Sequence, residues 1–194
     1  MRHRSILALL ACSLVASAAT LSGQYSLTVN KDRLINSANE PQNWLLMNGD
    51  YGSLRYSKLT QINRENVKTL RMVWAMALGG MQDVGQNGPE AEMNPLIDNG
   101  FMYTSDGWGT IYKIDARDPN RGKFAWVADP GVPHEGNTSR TRGIALWEDL
   151  VLANLPDGRV IAVNRDNGEI VWDKMVAGKQ EFGGDDQLRR YEGL

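Results

Sequence analysis

The sequence has 194 residues, of which 42% are hydrophobic and 23% are charged, with a formal net charge of -2. This size and balance are typical of one globular domain or part of one, and the scattered lysines and arginines form no basic stripe, which argues against nucleic-acid binding. Twenty glycines and six tryptophans, with scarce helical periodicity, favour an all-β fold of short strands joined by turns.

Residues 1–19 have the pattern of a secretory signal peptide. Two early arginines precede the apolar run 6–19, which contains the small-residue site Ala16-Ser17-Ala18. A membrane anchor is an alternative, but the run is shorter than the roughly 20 apolar residues of a spanning helix. A lipoprotein signal at Cys12 is another, although the apolar run continues past this cysteine. We expect cleavage near Ala18 or Ala19 and an exported domain of residues 20–194, which holds no cysteine for a disulfide or a metal.

Residues 43–78, here called the leading segment, contain two predicted elements. Asn63 is a suitable N-cap for a short helical turn over residues 64–70, because its side chain can accept hydrogen bonds from backbone N–H groups. The apolar run from Met72 to Leu78 predicts a strand.

An internal repeat is the strongest signal in the chain. Residues 100–129 and 149–174 each contain an apolar strand, a glycine, an alternating strand and a second turn glycine. Both copies finish with a tryptophan four residues beyond that glycine, Trp126 after Gly122 and Trp172 after Gly168. The spacing between these tryptophans is 46 residues, and the more degenerate Trp74 lies 52 residues before Trp126. Such periods are typical of β-propellers, in which each repeat is a small antiparallel sheet.

The turn Asp166-Asn167-Gly168 explains where the tryptophan goes. This sequence is expected to supply the positive φ angles of a tight hairpin, and strand alternation then predicts that Ile170 and Trp172 share a face. A tryptophan at this place can bury its ring between neighbouring sheets. We therefore interpret the recurring tryptophan as a spacer between sheets.

The repeat resembles the tryptophan-docking repeat of pyrroloquinoline quinone (PQQ) dehydrogenases. The leading segment, with its Gly-Asp-Tyr, Arg-Tyr-Ser and "LTQIN" motifs, is similar to that of the methanol and ethanol dehydrogenase group. The resemblance implies a β-propeller, eight-bladed in the family, of which the first three or so blades are present. It also implies a periplasmic enzyme that oxidises a primary alcohol with PQQ and calcium and passes electrons to a cytochrome c or a membrane quinone.

The resemblance assigns three cofactor-binding residues. Glu92, in "AEMNPL", takes the place of a glutamate at the PQQ edge, and Arg142, in "TRGIAL", that of an arginine that binds a PQQ carboxylate, to which a planar guanidinium is suited. The family's two adjacent cysteines are replaced by Gly136 and Asn137. Either Asn137 and the backbone cover the cofactor here, or its binding is weaker than in the family. The alternative interpretation is that Glu92 and Arg142, like the neighbouring Glu90 and Arg140, are ordinary solvated charges in loops.

No catalytic or metal-binding residue is assigned within the chain. The calcium ligands and the catalytic aspartate of the family lie further along, so we expect an N-terminal portion of a longer enzyme that is inactive alone. His134 is interpreted as a loop residue, since a lone histidine makes no metal site. The rival hypothesis is a non-catalytic propeller scaffold, such as an outer-membrane assembly protein, in which Glu92 and Arg142 need not converge. The identity of the alcohol does not follow from these residues.

Overall fold

The computed structural model describes residues 28–79, 90–134 and 140–177. In these ranges the chain forms two four-stranded antiparallel sheets, here called blade 1 and blade 2. Blade 1 has the strand order β2 (Leu96–Asp98), β3 (Phe101–Ser105), β4 (Ile111–Asp115) and β5 (Lys123–Ala128). Blade 2 has the order β7 (Ile144–Trp147), β8 (Leu150–Asn154), β9 (Arg159–Asn164) and β10 (Ile170–Met175). The all-β prediction is confirmed.

The remaining elements are short. A parallel pair joins β1 (Glu90–Ala91) to β6 (Arg140–Thr141), and one α-helix, α1, covers Lys31–Ile35. Two 3₁₀ turns cover Ser37–Asn39 and Val67–Thr69. Among the described residues no helix is long and apolar enough to span a membrane. The predicted signal peptide lies outside these ranges.

The last hairpin of blade 2 contains a β-bulge that corrects one prediction. Ile170 pairs with Val163, whereas Trp172 pairs with Ala162, so one additional residue, Val171, lies between them on β10. Because consecutive residues of β9 point to opposite faces of the sheet, Ile170 and Trp172 also point to opposite faces. The prediction that they share a face is wrong, since a bulge shifts the alternation by one residue. The same irregularity precedes the tryptophan of β5.

The turn before this bulge also differs from expectation. Within Asp166-Asn167-Gly168 only the glycine has a positive φ, +81°. The side chain of Asn164 instead accepts hydrogen bonds from the N–H groups of residues 166 and 167, at 2.8 and 3.3 Å. The turn thus needs one left-handed residue rather than two, because a side chain replaces part of the backbone hydrogen bonding.

The two blades are joined by the tryptophan of β5. Trp126 is buried, its ring lies against Gly168, and its indole N–H donates to the carbonyl of Arg165 at 2.9 Å. The ring of Trp74 covers Gly122 in the same way, one repeat earlier. The interpretation of the tryptophan as a spacer between sheets is confirmed for Trp126. Trp172, in β10, is 36% exposed among the described residues.

A buried ionic cluster fixes the blades to helix α1. The carboxylate of Asp98, at the end of β2, is fully buried and binds the guanidinium groups of both Arg33 and Arg165. Arg33 belongs to α1 and Arg165 to the last turn of blade 2. The Nζ of Lys113 in β4 donates to the carbonyl of Arg165 at 2.7 Å, and burial lowers the pKa of this lysine to about 8.

The leading segment is largely irregular. The helical turn predicted over residues 64–70 is only partly present, since a 3₁₀ turn covers Val67–Thr69 and its N-cap is Asn66, whose side chain makes no cap bond. Asn63 instead caps the turn just before it, because its Oδ1 accepts from the N–H groups of Glu65 and Asn66 at 3.0 and 3.1 Å. The strand predicted at Met72 to Leu78 is not present. An apolar run becomes a strand only beside a hydrogen-bonding neighbour, and this segment has none among the described residues. It is held at its end, where the N–H of Gly79 donates to the Tyr112 hydroxyl at 2.9 Å.

Candidate cofactor site

The parallel pair β1–β6 brings the two charged residues of the predicted site together. Ala91 pairs with Thr141, and the N–H of Glu92 donates to the carbonyl of Thr141 at 2.9 Å. The residues that follow β1 and β6, Glu92 and Arg142, therefore lie side by side. The Nε of Arg142 is 3.5 Å from the Oε2 of Glu92. The two side chains converge, as a shared ligand requires.

Polar and sulfur contacts support this junction from blade 1. The N–H of Ser105 lies 3.2 Å from the sulfur of Met93, and the hydroxyl of Thr141 donates to the carbonyl of Asp106 at 2.7 Å. The Ser105 hydroxyl lies 3.3 Å from that of Thr141. Ser105 and Thr141 are both buried, so these contacts hold β6 against the end of β3. Met93, the residue after Glu92, is thus part of this contact between β6 and blade 1.

The leading segment reaches the same place. The side-chain amide of Asn94 donates to the carbonyl of Met47 at 2.9 Å. The side chain of Met47 lies directly over Gly143, where a Cβ atom would be only 2.2 Å from the methionine Cε. Sequence reasoning missed Met47, because 95 residues separate it from Arg142 and no motif spacing connects the two.

The residues at this site fit the chemistry of PQQ, a planar aromatic quinone with carboxylate groups. The side chain of Arg142 is 70% exposed, so a ligand carboxylate can reach its guanidinium, which offers donors in one plane. An open cavity of about 350 Å³ adjoins it, lined by Met47, Arg142, Gly143 and mostly apolar residues of β7 to β9. Ala145 and Leu152 of this lining are in register with Trp172, on the face of blade 2 that corresponds to the Trp126 face of blade 1. This wall is therefore a surface for sheet packing, and the fit to PQQ rests on the exposed guanidinium of Arg142.

Two other predicted positions have different outcomes. Asn137 lies outside the described residues, and its proposed contact with the cofactor stays a prediction. His134 lies in the loop after β5, as interpreted from the sequence, and its ring stacks on that of the buried Trp108 with centroids 4.0 Å apart. Among the residues that the structure describes, no group of three or more His, Cys, Asp or Glu could hold a metal ion.

Comparison with known proteins defines the class to which this fold and site belong. Residues 44–183 match the PQQ family described as the β-propeller domain of glucose, ethanol and alcohol dehydrogenases. The chain belongs to this family.

Individual relatives agree with the family assignment. The chain is 34% identical to the quinoprotein alcohol dehydrogenase PedH of Pseudomonas putida over 176 residues, which are 89% of this chain and 28% of that protein. The solved quinohemoprotein alcohol dehydrogenase of Comamonas testosteroni superimposes with a TM-score of 0.66 and 32% identity, over 79% of this chain and 22% of that one. A europium-containing methanol dehydrogenase gives a TM-score of 0.65 and 25% identity, over 76% and 25% of the two chains. The chain thus spans between 22% and 28% of the length of these relatives.

Proposed function

We propose that the complete protein is a periplasmic, PQQ-dependent alcohol dehydrogenase that oxidises a primary alcohol. The observation that carries this proposal is the convergence of Glu92 and Arg142, with 3.5 Å between Oε2 and Nε, at the junction of two blades of a quinoprotein fold. The curated relatives are named as alcohol dehydrogenases, which supports the substrate class.

Arg142 and Glu92 would bind and orient the cofactor. PQQ, when bound, supplies an ortho-quinone that accepts the two electrons of the alcohol. The guanidinium of Arg142 would donate to a cofactor carboxylate, while Glu92 restrains the guanidinium from its other side. Neither residue takes part in bond breaking in this scheme. Their role is to hold the cofactor and fix its orientation.

The metal ion of the complete protein is proposed to be calcium, held by residues further along the polypeptide. A trivalent lanthanide is the second candidate, because one similar solved structure contains europium. Both ions are hard cations that prefer oxygen ligands, and either would withdraw electrons from the quinone.

A cytochrome c or a membrane quinone is the proposed electron acceptor. Several relatives are quinohemoproteins or the dehydrogenase subunits of quinone-linked enzymes, which is consistent with both choices. The rival scaffold function gains no support from the site, because a non-catalytic propeller needs no convergence of Glu92 and Arg142.

The test is dye reduction by the complete protein with PQQ, with either calcium or a lanthanide, across a panel of primary alcohols. We expect turnover with at least one alcohol and one ion, and a strong loss of PQQ affinity in Arg142→Ala that Arg142→Lys restores only in part, because lysine lacks the planar fork. An absence of turnover under all of these conditions would refute the proposal.

A further inference from the structure

Asn94 lies two residues after Glu92, in the segment that follows β1. Its side chain makes a specific contact, in which Nδ2 donates to the carbonyl of Met47 at 2.9 Å. The segment that carries Glu92 is thus hydrogen-bonded to the leading segment.

The carbonyl of Met47 is held from two sides. Besides Asn94, the indole N–H of Trp44 donates to it at 3.3 Å. Trp44 is itself paired with Ile97 of β2 through two backbone hydrogen bonds, of 2.8 and 2.9 Å. The backbone of Met47 is therefore tied to blade 1.

The side chain of Met47 extends to blade 2. Its Cε lies 2.2 Å from the position that a Cβ atom on residue 143 would occupy, so this methyl group fills the space above a glycine. Gly143 directly follows Arg142 in the chain. Met47 thus contacts the backbone next to the arginine of the candidate cofactor site.

These contacts form a closed ring, here called the contact ring. Glu92 pairs with Arg142 at 3.5 Å, and the next residue, Gly143, packs against Met47. The carbonyl of Met47 accepts from Asn94, which the chain connects back to Glu92. The ion pair alone cannot fix the guanidinium, because exposed ion pairs contribute little, and these two side chains are 42% and 70% exposed. The rest of the ring restrains the backbone that carries Arg142.

We propose that Asn94 is a positioning residue of the cofactor site, which acts by holding Met47 against Gly143 and so fixes Arg142 relative to Glu92. This inference rests on the proposed function, because the restrained arginine matters only if it binds the cofactor. Loss of the Asn94 amide would leave the Met47 carbonyl only the longer bond from the Trp44 indole, so Met47 and the backbone beside Arg142 would be held less firmly before any ligand arrives.

The experiment compares Asn94→Ala, Asn94→Gln and a matched control in the complete protein. The control is Asn66→Ala, because the Asn66 amide also donates to an exposed backbone carbonyl, that of Gln61 at 2.7 Å. The first measurement is the NMR position of the Met47 methyl group in protein labelled at methionine methyls, without PQQ and assigned with Met47→Leu. The second is the affinity for PQQ by fluorescence titration.

We expect Asn94→Ala to shift the Met47 methyl resonance and to weaken PQQ binding on the order of fivefold, the effect of one neutral hydrogen bond. Asn94→Gln should recover part of both, and Asn66→Ala should change neither. An unchanged affinity or an unchanged methyl resonance in Asn94→Ala would overturn the inference. If Arg142→Ala binds PQQ as the wild type does, the proposed function itself fails, even when the methyl resonance responds to Asn94.

Discussion

The indole ring of Trp126, in the last strand of blade 1, lies on the backbone of Gly168, in the last turn of blade 2. A Cβ atom on Gly168 would be 2.9 Å from Cδ2 of the tryptophan, and the glycine has a φ of +81°. Gly168 therefore meets two requirements, since it adopts a left-handed backbone and leaves a flat surface for the ring.

Gly168→Ala is expected to lower the stability of the protein more than a turn glycine elsewhere would. The left-handed φ alone costs about 1–2 kcal/mol for an L-residue, and displacing the Trp126 ring should add about 1–3 kcal/mol. The matched control is Gly131→Ala, because Gly131 also has a positive φ, +62°, but nothing lies within 4 Å of its Cβ position. Urea unfolding of the complete protein followed by tryptophan fluorescence measures the difference. Equal effects of the two substitutions would show that the indole contact contributes nothing.

Asp98→Asn should be strongly destabilising. The substitution leaves two guanidinium groups, of Arg33 and Arg165, without their shared buried counter-charge, and breaking a buried pair in this way costs about 3–5 kcal/mol. Asp173→Asn serves as the control, because Asp173 is 35% exposed and its partner Arg159 keeps a second carboxylate, Asp157. The control should cost less than about 1 kcal/mol. Similar shifts of the unfolding midpoint in both variants would contradict this prediction.

Lys113 should make stability depend on pH in the mildly alkaline range. Mainly because of burial, its folded-state pKa is lowered to about 8 from an unfolded value of 10.5. Below pH 8 the lysine is charged in both states, and between pH 8 and 10 only the unfolded chain keeps the proton, so stability rises with pH. Above pH 10 the rise is opposed by Tyr112, whose pKa is raised to about 12 by burial and by its hydrogen bond to Asp106.

Lys113→Met removes this titration while leaving the Arg165 carbonyl its bond from the Trp126 indole. Unfolding midpoints at pH 7.5, 8.5 and 9.5 should rise in the wild type relative to the variant. Parallel curves for the two proteins would show that the lysine is not titrating in this window.

The 194-residue chain made alone should neither bind PQQ tightly nor oxidise alcohols. Its one charged contact with the cofactor, that of Arg142, is worth about 1.5–3 kcal/mol, which alone gives dissociation constants no tighter than about millimolar. The side chains of β10 are exposed along its whole length, and such an open edge favours aggregation. Titration of the purified chain with PQQ checks this. Submicromolar binding that Arg142→Ala abolishes would contradict it.

The repeat and its turns could be predicted from sequence because they depend on local chemistry. Gly122 and Gly168 mark turns, and Trp126, four residues after Gly122, identifies the interface between the two blades. The bulge at Val171 could not be predicted, because an additional strand residue leaves no mark in a short apolar run. Because of this bulge, Ile170 and Trp172 lie on opposite faces of the sheet, whereas strand alternation alone predicts that they share one face.

The candidate site was only partly accessible to the same reasoning. Glu92 and Arg142 were assigned through motif resemblance, and the structure places them together. The contacts of Met47 with Gly143 and of Asn94 with Met47 depend on how the leading segment returns to blade 2. Such contacts between distant positions follow from tertiary packing, which a single sequence does not encode in any local pattern.

The indoles of Trp126 and Trp74 each pack on a glycine that lies later in the chain, so each tryptophan is synthesised before its contact surface. Trp126 is synthesised 42 residues before Gly168, and Trp74 is synthesised 48 residues before Gly122. At about 5–20 residues per second, a tryptophan waits roughly 2–10 s for the surface that will cover it. During synthesis the indole of Trp74 therefore stays uncovered until Gly122 emerges, and that of Trp126 until Gly168 emerges.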